Sequence, residues 1–289
     1  MVPGWTLARG DAGWLPRLDA IPDPPARLRV RGVLGEAGEH RVAIVGSRRT
    51  DDYGRELARE LAGGLARARV CVVSGGAEGI DAAAHEAALE AGGRTIAVLG
   101  CGLDVVYPAG HARLFQRIVE AGGALVSEYE DGAPGARWTF PQRNRLVSGM
   151  SEAVVVVRAD EGSGALITAA WARQQGVPLF AVPGDVRDEG SRGPTALLRS
   201  GARVAASADD VLRELGLAGQ LALPETGPSP EPEGDEGAAW RALGRKPSHA
   251  DEIARAAGLS AGRALAALLG LELAGLCEQR PGHYFLRSR

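Results

Sequence analysis

The sequence predicts an α/β protein built on a doubly wound, mostly parallel sheet, with a small winged-helix domain at its carboxyl end. Three observations predict it. From residue 41 to 215, short and near-continuous apolar runs such as Val42–Ala–Ile–Val45 alternate with longer segments of helical period. That is the pattern of a parallel sheet buried on both faces. A stretch rich in proline, glycine and acid then breaks the alternation, as a solvated linker does. Beyond it, a helix, a helix–turn–helix and a hairpin follow in winged-helix order.

Residues 1–40 carry Trp5, Trp14, Pro16, Pro22, Pro24 and Pro25, then an apolar run from Leu28 to Val33. They read as an extended, proline-stiffened segment packed on the core by its tryptophans and ending in a short strand. The expected strands of the main domain, 41–215, are 42–45, 70–74, 95–99, 124–127, 153–157, 179–182 and 203–205. The expected helices are 53–67, 79–91, 111–121, 142–150, 165–175, 195–200 and 208–215. In such a sheet, ligands sit outside the carboxyl ends of the strands at a topological switch point. The loops that matter are therefore 46–52, 74–79, 100–110, 127–141, 158–164 and 183–194.

Residues 216–237 form the linker, and 224–237 contain no basic residue. In the winged-helix domain, 238–289, Ser248 is the expected N-cap of the second helix, with Asp251 completing a capping box. Gly258 ends that helix and Ser260 opens the next. The expected recognition helix offers only Arg263 as a base reader among alanines and leucines. That favours protein contact or weak DNA contact over sequence-specific reading.

Composition narrows the function. No run approaches the roughly 20 apolar residues of a membrane span, and no signal-peptide pattern opens the chain. The three cysteines (Cys71, Cys101, Cys277) are widely spaced, which fits buried thiols in a reduced, cytoplasmic setting. The net charge of −3 requires any nucleic-acid binding to use a local patch. Lys246 is the only lysine, so no phosphate-binding G-x-x-x-x-G-K-[ST] loop exists, and no G-x-G-x-x-G follows the first strand.

Three stretches carry chemistry. Gly46–Ser47–Arg48–Arg49 ends the first strand of the main domain just before a helix, where backbone amides, the helix dipole and guanidiniums suit an anion. Ser74–Gly75–Gly76–Ala77–Glu78–Gly79 repeats the arrangement at the next strand. Arg137–Trp–Thr–Phe–Pro–Gln–Arg–Asn–Arg145 interleaves three arginines with two aromatics, the composition that stacks unpaired bases and holds phosphates. Asp81 and His85 lie four apart on one helix. Without a third ligand at metal spacing, they read as loop-fixing rather than as a metal or acid/base site. Glu128 and Glu130 form no acid/base pair, and the serines lack a G-x-S-x-G elbow. No catalytic residue, metal or cofactor is expected.

The motifs then follow a known order: Ala43–Ile–Val–Gly–Ser–Arg48, Ser74–Gly–x–Ala77–x–Gly–Ile–Asp81–x–x–Ala84–His85 and Thr95–Ile–Ala–Val–Leu–Gly100–x–Gly–Leu–Asp104–x–x–Tyr–Pro108. After these come Ser127–Glu–Tyr129, Phe140–Pro–x–Arg–Asn–Arg145, Ser163–Gly–Ala–Leu–Ile–Thr168 and Val182–Pro–Gly184. Over about residues 15–215 the chain resembles the DprA/Smf family, the DNA-processing proteins of natural transformation. The resemblance implies an extended Rossmann-like fold that binds single-stranded DNA without strong sequence preference. It also implies a homodimer that protects incoming strands and loads a RecA-type recombinase on them, against single-strand-binding protein, in competence and DNA recombination.

Carried over by motif, the resemblance makes Gly46, Ser47, Arg48, Phe140, Arg143, Asn144 and Arg145 DNA-binding, with Ser163 and Thr168 adding contacts. Arg137 takes the place of the lysine that members often carry. The local chemistry adds Arg49, Gly75 and Gly76. Two departures stand out. Gly193–Pro–Thr195–Ala–Leu–Leu198 replaces the usual Gly-x-Asn-x-Leu-Ile, and the small helical domain with which many members begin has no counterpart here. The alternative is a nucleotide-cleaving enzyme of the phosphoribohydrolase type, but Pro183–Gly–Asp–Val–Arg187 lacks that family's glycine run and glutamate. A third reading, a ligand-sensing winged-helix transcription factor, is disfavoured by the poor recognition helix.

Overall fold

The computed structural model describes residues 4–35, 38–217, 232–244, 247–273 and 276–287. It divides into two units, Met1–Ala222 and Leu223–Arg289. Most of the expected linker, and Lys246, lie outside the described residues.

The first unit begins with strands β1 (Trp5–Ala8) and β2 (Arg27–Gly32) around a single 3-10 turn at Pro16–Asp19. This segment does more than pack on the core, because both strands belong to the sheet. Its anchors are Leu7, Leu15, Leu18, Ile21, Leu28 and Val30, all buried, whereas Trp5 is 41% exposed. The indole N–H groups explain the difference, since each needs a partner and finds one at the rim. Trp5 donates to the Gly32 carbonyl and Trp14 to the Asp19 carboxylate.

Strands and helices then alternate: β3 (Arg41–Val45), α1 (Asp52–Arg67), β4 (Cys71–Ser74), α2 (Ile80–Glu90), β5 (Thr95–Leu99), α3 (Ala112–Glu120) and β6 (Ala124–Ser127). They continue with α4 (Thr139–Gly149), β7 (Ala153–Val156), α5 (Ala165–Gln174), β8 (Leu179–Ala181), α6 (Arg192–Arg199), β9 (Arg203–Val204) and α7 (Ala208–Glu214). Helix α4 starts three residues earlier than expected. Pro141 falls in its first turn, where an amide has no helical partner to lose, and a Thr139 hydroxyl–Ala136 turn starts the helix. Helix α6 likewise starts at Arg192 rather than Thr195.

The sheet order is β1-β2-β6-β5-β4-β3-β7-β8-β9. Strands β3 to β9 pair in parallel, and the β1–β2 hairpin adds antiparallel to β6. Side chains alternate across the strands. Val42 and Ile44 pack with α1, α2 and α7, while Ala43 and Val45 pack with α4, α5 and α6. The chain runs outward from β3 to β6, then returns to place β7 on the other side of β3. Strand order therefore reverses between β3 and β7, which opens a crevice at their carboxyl ends.

His85 shows how completely α2 is buried. Its Nδ1 lies 2.6 Å from the Thr95 hydroxyl, which itself donates to the Val72 carbonyl. The imidazole is therefore the donor at Nδ1. Burial, with lesser repulsion from His111 and Arg143, pushes its pKa down to about 3. A folded pKa below the unfolded value of about 6.5 gives stability that is complete above that value and is lost as pH falls from there towards 3. With one proton involved, the loss between pH 7 and pH 5 is expected to be about 2 kcal/mol. Urea unfolding at the two pH values should show that loss in the native chain and a smaller one in His85→Gln. Equal losses would contradict it.

In the second unit, α8 (Gly234–Ala242), β10 (Ser248–His249), α9 (Ala250–Ala257), α10 (Ala261–Leu273), β11 (Cys277–Arg280) and β12 (Tyr284–Arg287) form three helices and a β10-β12-β11 sheet. Ala239, Leu243, Ile253, Leu268, Leu271, Cys277 and Phe285 make its core. Helix α8 takes in residues 234–237, which the sequence assigns to the linker. The N-cap of α9 is His249, not Ser248. Both residues pair with β12, so the helix starts later and the His249 ring accepts from the Asp251 amide. Arg263, the one base-reading candidate on α10, makes a two-pronged ion pair with Asp235 at 2.7 and 2.6 Å.

Candidate nucleic-acid interface

The crevice at the carboxyl ends of β3 and β7 is a cleft of about 560 Å³. Its first wall is the loop after β3. Gly46 sits against Ile80, and Gly79, at φ +79°, sits under the carbonyls of Ser47 and Arg48, so a side chain at either position would push the loop away. The Ser47 amide donates to the Arg158 carbonyl at 2.7 Å, the Ile80 amide to the Ser47 carbonyl and the Ser47 hydroxyl to the Arg49 carbonyl. The backbone is thus pinned while Arg48 and Arg49 project outward, both exposed.

The helix end behind this loop is not an open anion cradle. Asp51 caps α1 through the Gly54 amide, and Arg158 bridges Asp51 to Asp188. A protein carboxylate already fills the favourable position at the helix dipole. The second expected cradle is filled in the same way. Asp81 accepts from the amides of Gly75 and Ala77 at 3.1 and 3.3 Å. Burial pushes its carboxyl up, opposed by Arg143 and by those hydrogen bonds. Gly75 remains on the cleft wall, but Gly76 backs onto Phe115 and Leu99 and does not line the cleft.

The second wall is the start of α4. Phe140 is half-buried between the Tyr107 ring, with centroids 5.0 Å apart and planes at 33°, and the Arg48 guanidinium 5.1 Å from its centroid. Arg137 is exposed on the cleft rim. Next to it Trp138 is 65% exposed, edge-on to Tyr129. Arg143 reaches the cleft wall but is only 4% exposed, its guanidinium donating to the carbonyls of Gly75 and Val98. Burial brings its pKa down to about 10, with Asp81 opposing the fall.

Asn144 is half-buried on the wall, its amide donating to Gly164 and its oxygen accepting from Arg143. Ser163 lines the cleft and caps the Ala165 amide. Thr168 lines it too but is buried. Arg145 is not in the cleft. It is 1% exposed and bonded to Glu128 and to the carbonyls of Asp23 and Gln142.

The structure therefore gathers Gly46, Ser47, Arg48, Arg49, Gly75, Arg137, Phe140, Arg143, Asn144, Ser163 and Thr168 around one cavity, and leaves out Gly76 and Arg145. Among the described residues, Arg48, Arg49 and Arg137 have no carboxylate within ion-pairing distance, unlike Arg158, Arg145 and Arg29. Three unneutralised guanidiniums beside stacked rings can hold a chain of phosphates and flat groups together. Sequence reasoning missed Tyr107, Asp160 and Ile167, which also line the cleft. Tyr107 and Ile167 stand in two of the quoted motifs, whereas Asp160 had only its position in a loop at a strand's carboxyl end as a signal.

Such a body, doubly wound with an arginine- and aromatic-lined cleft at its switch point, places the chain among Rossmann-like α/β proteins with a cationic ligand cleft. The DNA recombination-mediator protein A family matches residues 5–216, and the DprA winged helix domain matches residues 223–283. The chain belongs to the DprA/Smf family.

A DNA processing protein DprA of Mycobacterium tuberculosis is 46% identical over 257 residues, 87% of this chain. This chain spans 65% of that relative's length. Protein Smf of Escherichia coli is 39% identical over 93% of this chain and 74% of its own. Among solved structures, DprA from Streptococcus pneumoniae superposes with a TM-score of 0.68 and 38% identity, covering 72% of this chain and 73% of that one. DprA from Helicobacter pylori, described for its single-stranded DNA binding mode, superposes at 0.65 with 31% identity over 74% of this chain and 96% of its own.

Proposed function

We propose that the cleft binds single-stranded DNA and that the chain is a recombination mediator rather than an enzyme. One observation carries the reading: Arg48, Arg49 and Arg137, without carboxylate partners among the described residues, line one cleft with the Tyr107–Phe140 ring pair at the switch point. Guanidiniums hold backbone phosphates whatever the sequence, and aromatic faces accept any unpaired base. A duplex hides its base faces and cannot use the rings.

The description of the matched family, a DNA recombination mediator, supports the mediator role. The reading extends it to a homodimer in the cytoplasm that protects incoming strands and passes them to a RecA-type recombinase during transformation, in competition with single-strand-binding protein. In this reading residues 41–215 form the DNA-binding domain, with 1–40 packed on it, and the winged helix starts with α8 at Gly234 rather than at residue 238. Arg263, the base-reading candidate of α10, is engaged by Asp235, which supports protein contact over base reading for this domain.

Where the acid/base candidates lie supports the non-enzymatic reading. Asp81 is spent on the Gly75 and Ala77 amides, and His85 is buried against Thr95. The loop expected of a nucleotide-cleaving relative is occupied by its own ion pairs, Asp185 with Arg187 and Asp188 with Arg158.

Competition between a single strand and a duplex of the same sequence tests the reading, with the single strand expected to win. Tyr107→Ala should weaken single-strand binding roughly tenfold, the worth of about one base stack, while Tyr107→Phe keeps it. Preference for the duplex, or indifference to Tyr107→Ala, would contradict the reading. Recombinase filament assembly on strands pre-coated with single-strand-binding protein, with and without this chain, tests the mediator step.

A further inference from the structure

The cleft contains one side chain that does not belong in a phosphate channel. Asp160 follows β7, is exposed, and lines the same cleft as the arginines. The one other carboxylate on the lining among the described residues, Asp81, is consumed by backbone amides. Among the described residues, Asp160 has no cation within ion-pairing distance.

Its position is held firmly. The Ala159 amide donates to Gly190, the Gly193 amide to the Ala159 carbonyl, and the Ser163 amide to the Asp160 carbonyl. Asn144 ties the same loop to α4 through Gly164. Arg158, one residue earlier, is buried and anchored on Asp51 and Asp188.

A carboxylate can only accept hydrogen bonds. Within a single strand of DNA, phosphates and deoxyribose offer no donor, so the groups of the strand from which Asp160 can accept are base N–H groups. The four bases differ there. Guanine presents two adjacent donors, N1–H and the N2 amine, which match the two oxygens of one carboxylate. Thymine N3–H is flanked by two carbonyls, cytosine N4 by the N3 acceptor and adenine N6 by N1 and N7, so each sets an acceptor against the carboxylate. A strand with splayed bases exposes these edges to a protein.

Resting on the single-strand reading above, we infer that Asp160 is a specificity-determining residue that accepts from the Watson–Crick edge of guanine and makes the cleft favour guanine over the other bases. The phosphate grip stays blind to sequence, and the preference is local to one base position.

The test uses the full chain and fluorescence-labelled hexamers of thymidine in which each position in turn is guanine, inosine, adenine or cytosine, titrated by anisotropy at fixed salt. At one position guanine is expected to bind about tenfold tighter than thymine, the scale of a bidentate base contact. Inosine, which keeps N1–H and lacks the N2 amine, should fall between. Asp160→Asn and Asp160→Ala should both erase the preference, and Asp160→Ala should bind the all-thymidine hexamer more tightly by removing a repelling charge.

Equal binding of guanine and thymine hexamers by the native chain overturns the assignment, as does a preference that survives in both variants. A loss in Asp160→Ala seen only with uridine RNA hexamers, whatever the base, would assign the carboxylate to the ribose hydroxyl instead and overturn it too. Failure to bind any hexamer overturns the single-strand reading itself and this inference with it. Binding without guanine preference overturns the inference alone.

Discussion

Changing Arg48, Arg49 and Arg137 together to alanine is expected to cost on the order of a hundredfold or more in single-strand affinity at low salt, and to flatten the slope of log affinity against log salt by about 2. Each guanidinium that neutralises one phosphate of a single strand releases a counterion worth about 0.7 of slope, so three give about 2. The three side chains are exposed and unpaired, and exposed substitutions of this kind leave stability within about 0.5 kcal/mol. The thermal unfolding of the triple variant should therefore match the native chain. Binding titrations at several salt concentrations check the prediction. An unchanged slope would place the phosphate path elsewhere. Arg48 is expected to contribute most, because it also covers the Phe140 ring at 5.1 Å.

Arg143→Met is expected to act in the opposite way, through the fold. Arg143 is buried beside Asp81, and its guanidinium holds the carbonyls of Gly75 and Val98. Removing it leaves those two carbonyls without their donor and takes away the positive charge that favours the Asp81 carboxylate, which together cost about 3–5 kcal/mol. Adding Asp81→Asn should recover much of that loss, since an amide oxygen can still accept from Gly75 and Ala77 without a buried charge. Urea unfolding of the two single variants and the double variant measures this coupling. If Arg143→Met were as stable as the native chain and lost only DNA binding, Arg143 would be a direct phosphate ligand, the role its motif implies.

These two results separate residues that one motif places side by side. Arg137, Arg143 and Arg145 lie within nine positions of each other, and by residue type all three could contact a phosphate. Helical geometry separates them. Arg137 precedes α4 and stays in solvent, Arg143 turns inward under the cleft floor, and Arg145 turns to the far side to meet Glu128. Nothing in the order Arg-Asn-Arg announces this, because the partners lie 68 residues away at Gly75 and 17 away at Glu128. The same holds for the second glycine turn. Its composition suits an anion, and its own helix supplies that anion as Asp81.

Local physics made much of the protein legible from its residues. Apolar runs located every strand from β3 to β8, because a strand buried on both faces must be apolar throughout, whereas β9, Arg203–Val204, is exposed. Alternation with helices set the parallel sheet, and the sheet's switch point set where the candidate cleft lies. The motif order set the family. The tertiary structure alone decided which charged groups in the cleft face solvent and which are spent inside, and that the amino-terminal segment supplies two strands through its leucines rather than its tryptophans. It also decided that Tyr107 backs Phe140 and that Asp160 shares the cavity with unpaired arginines. The reason is common to all four. Whether a polar or aromatic side chain is free depends on whether a partner from a distant segment reaches it, and only the folded chain brings those partners within hydrogen-bonding distance.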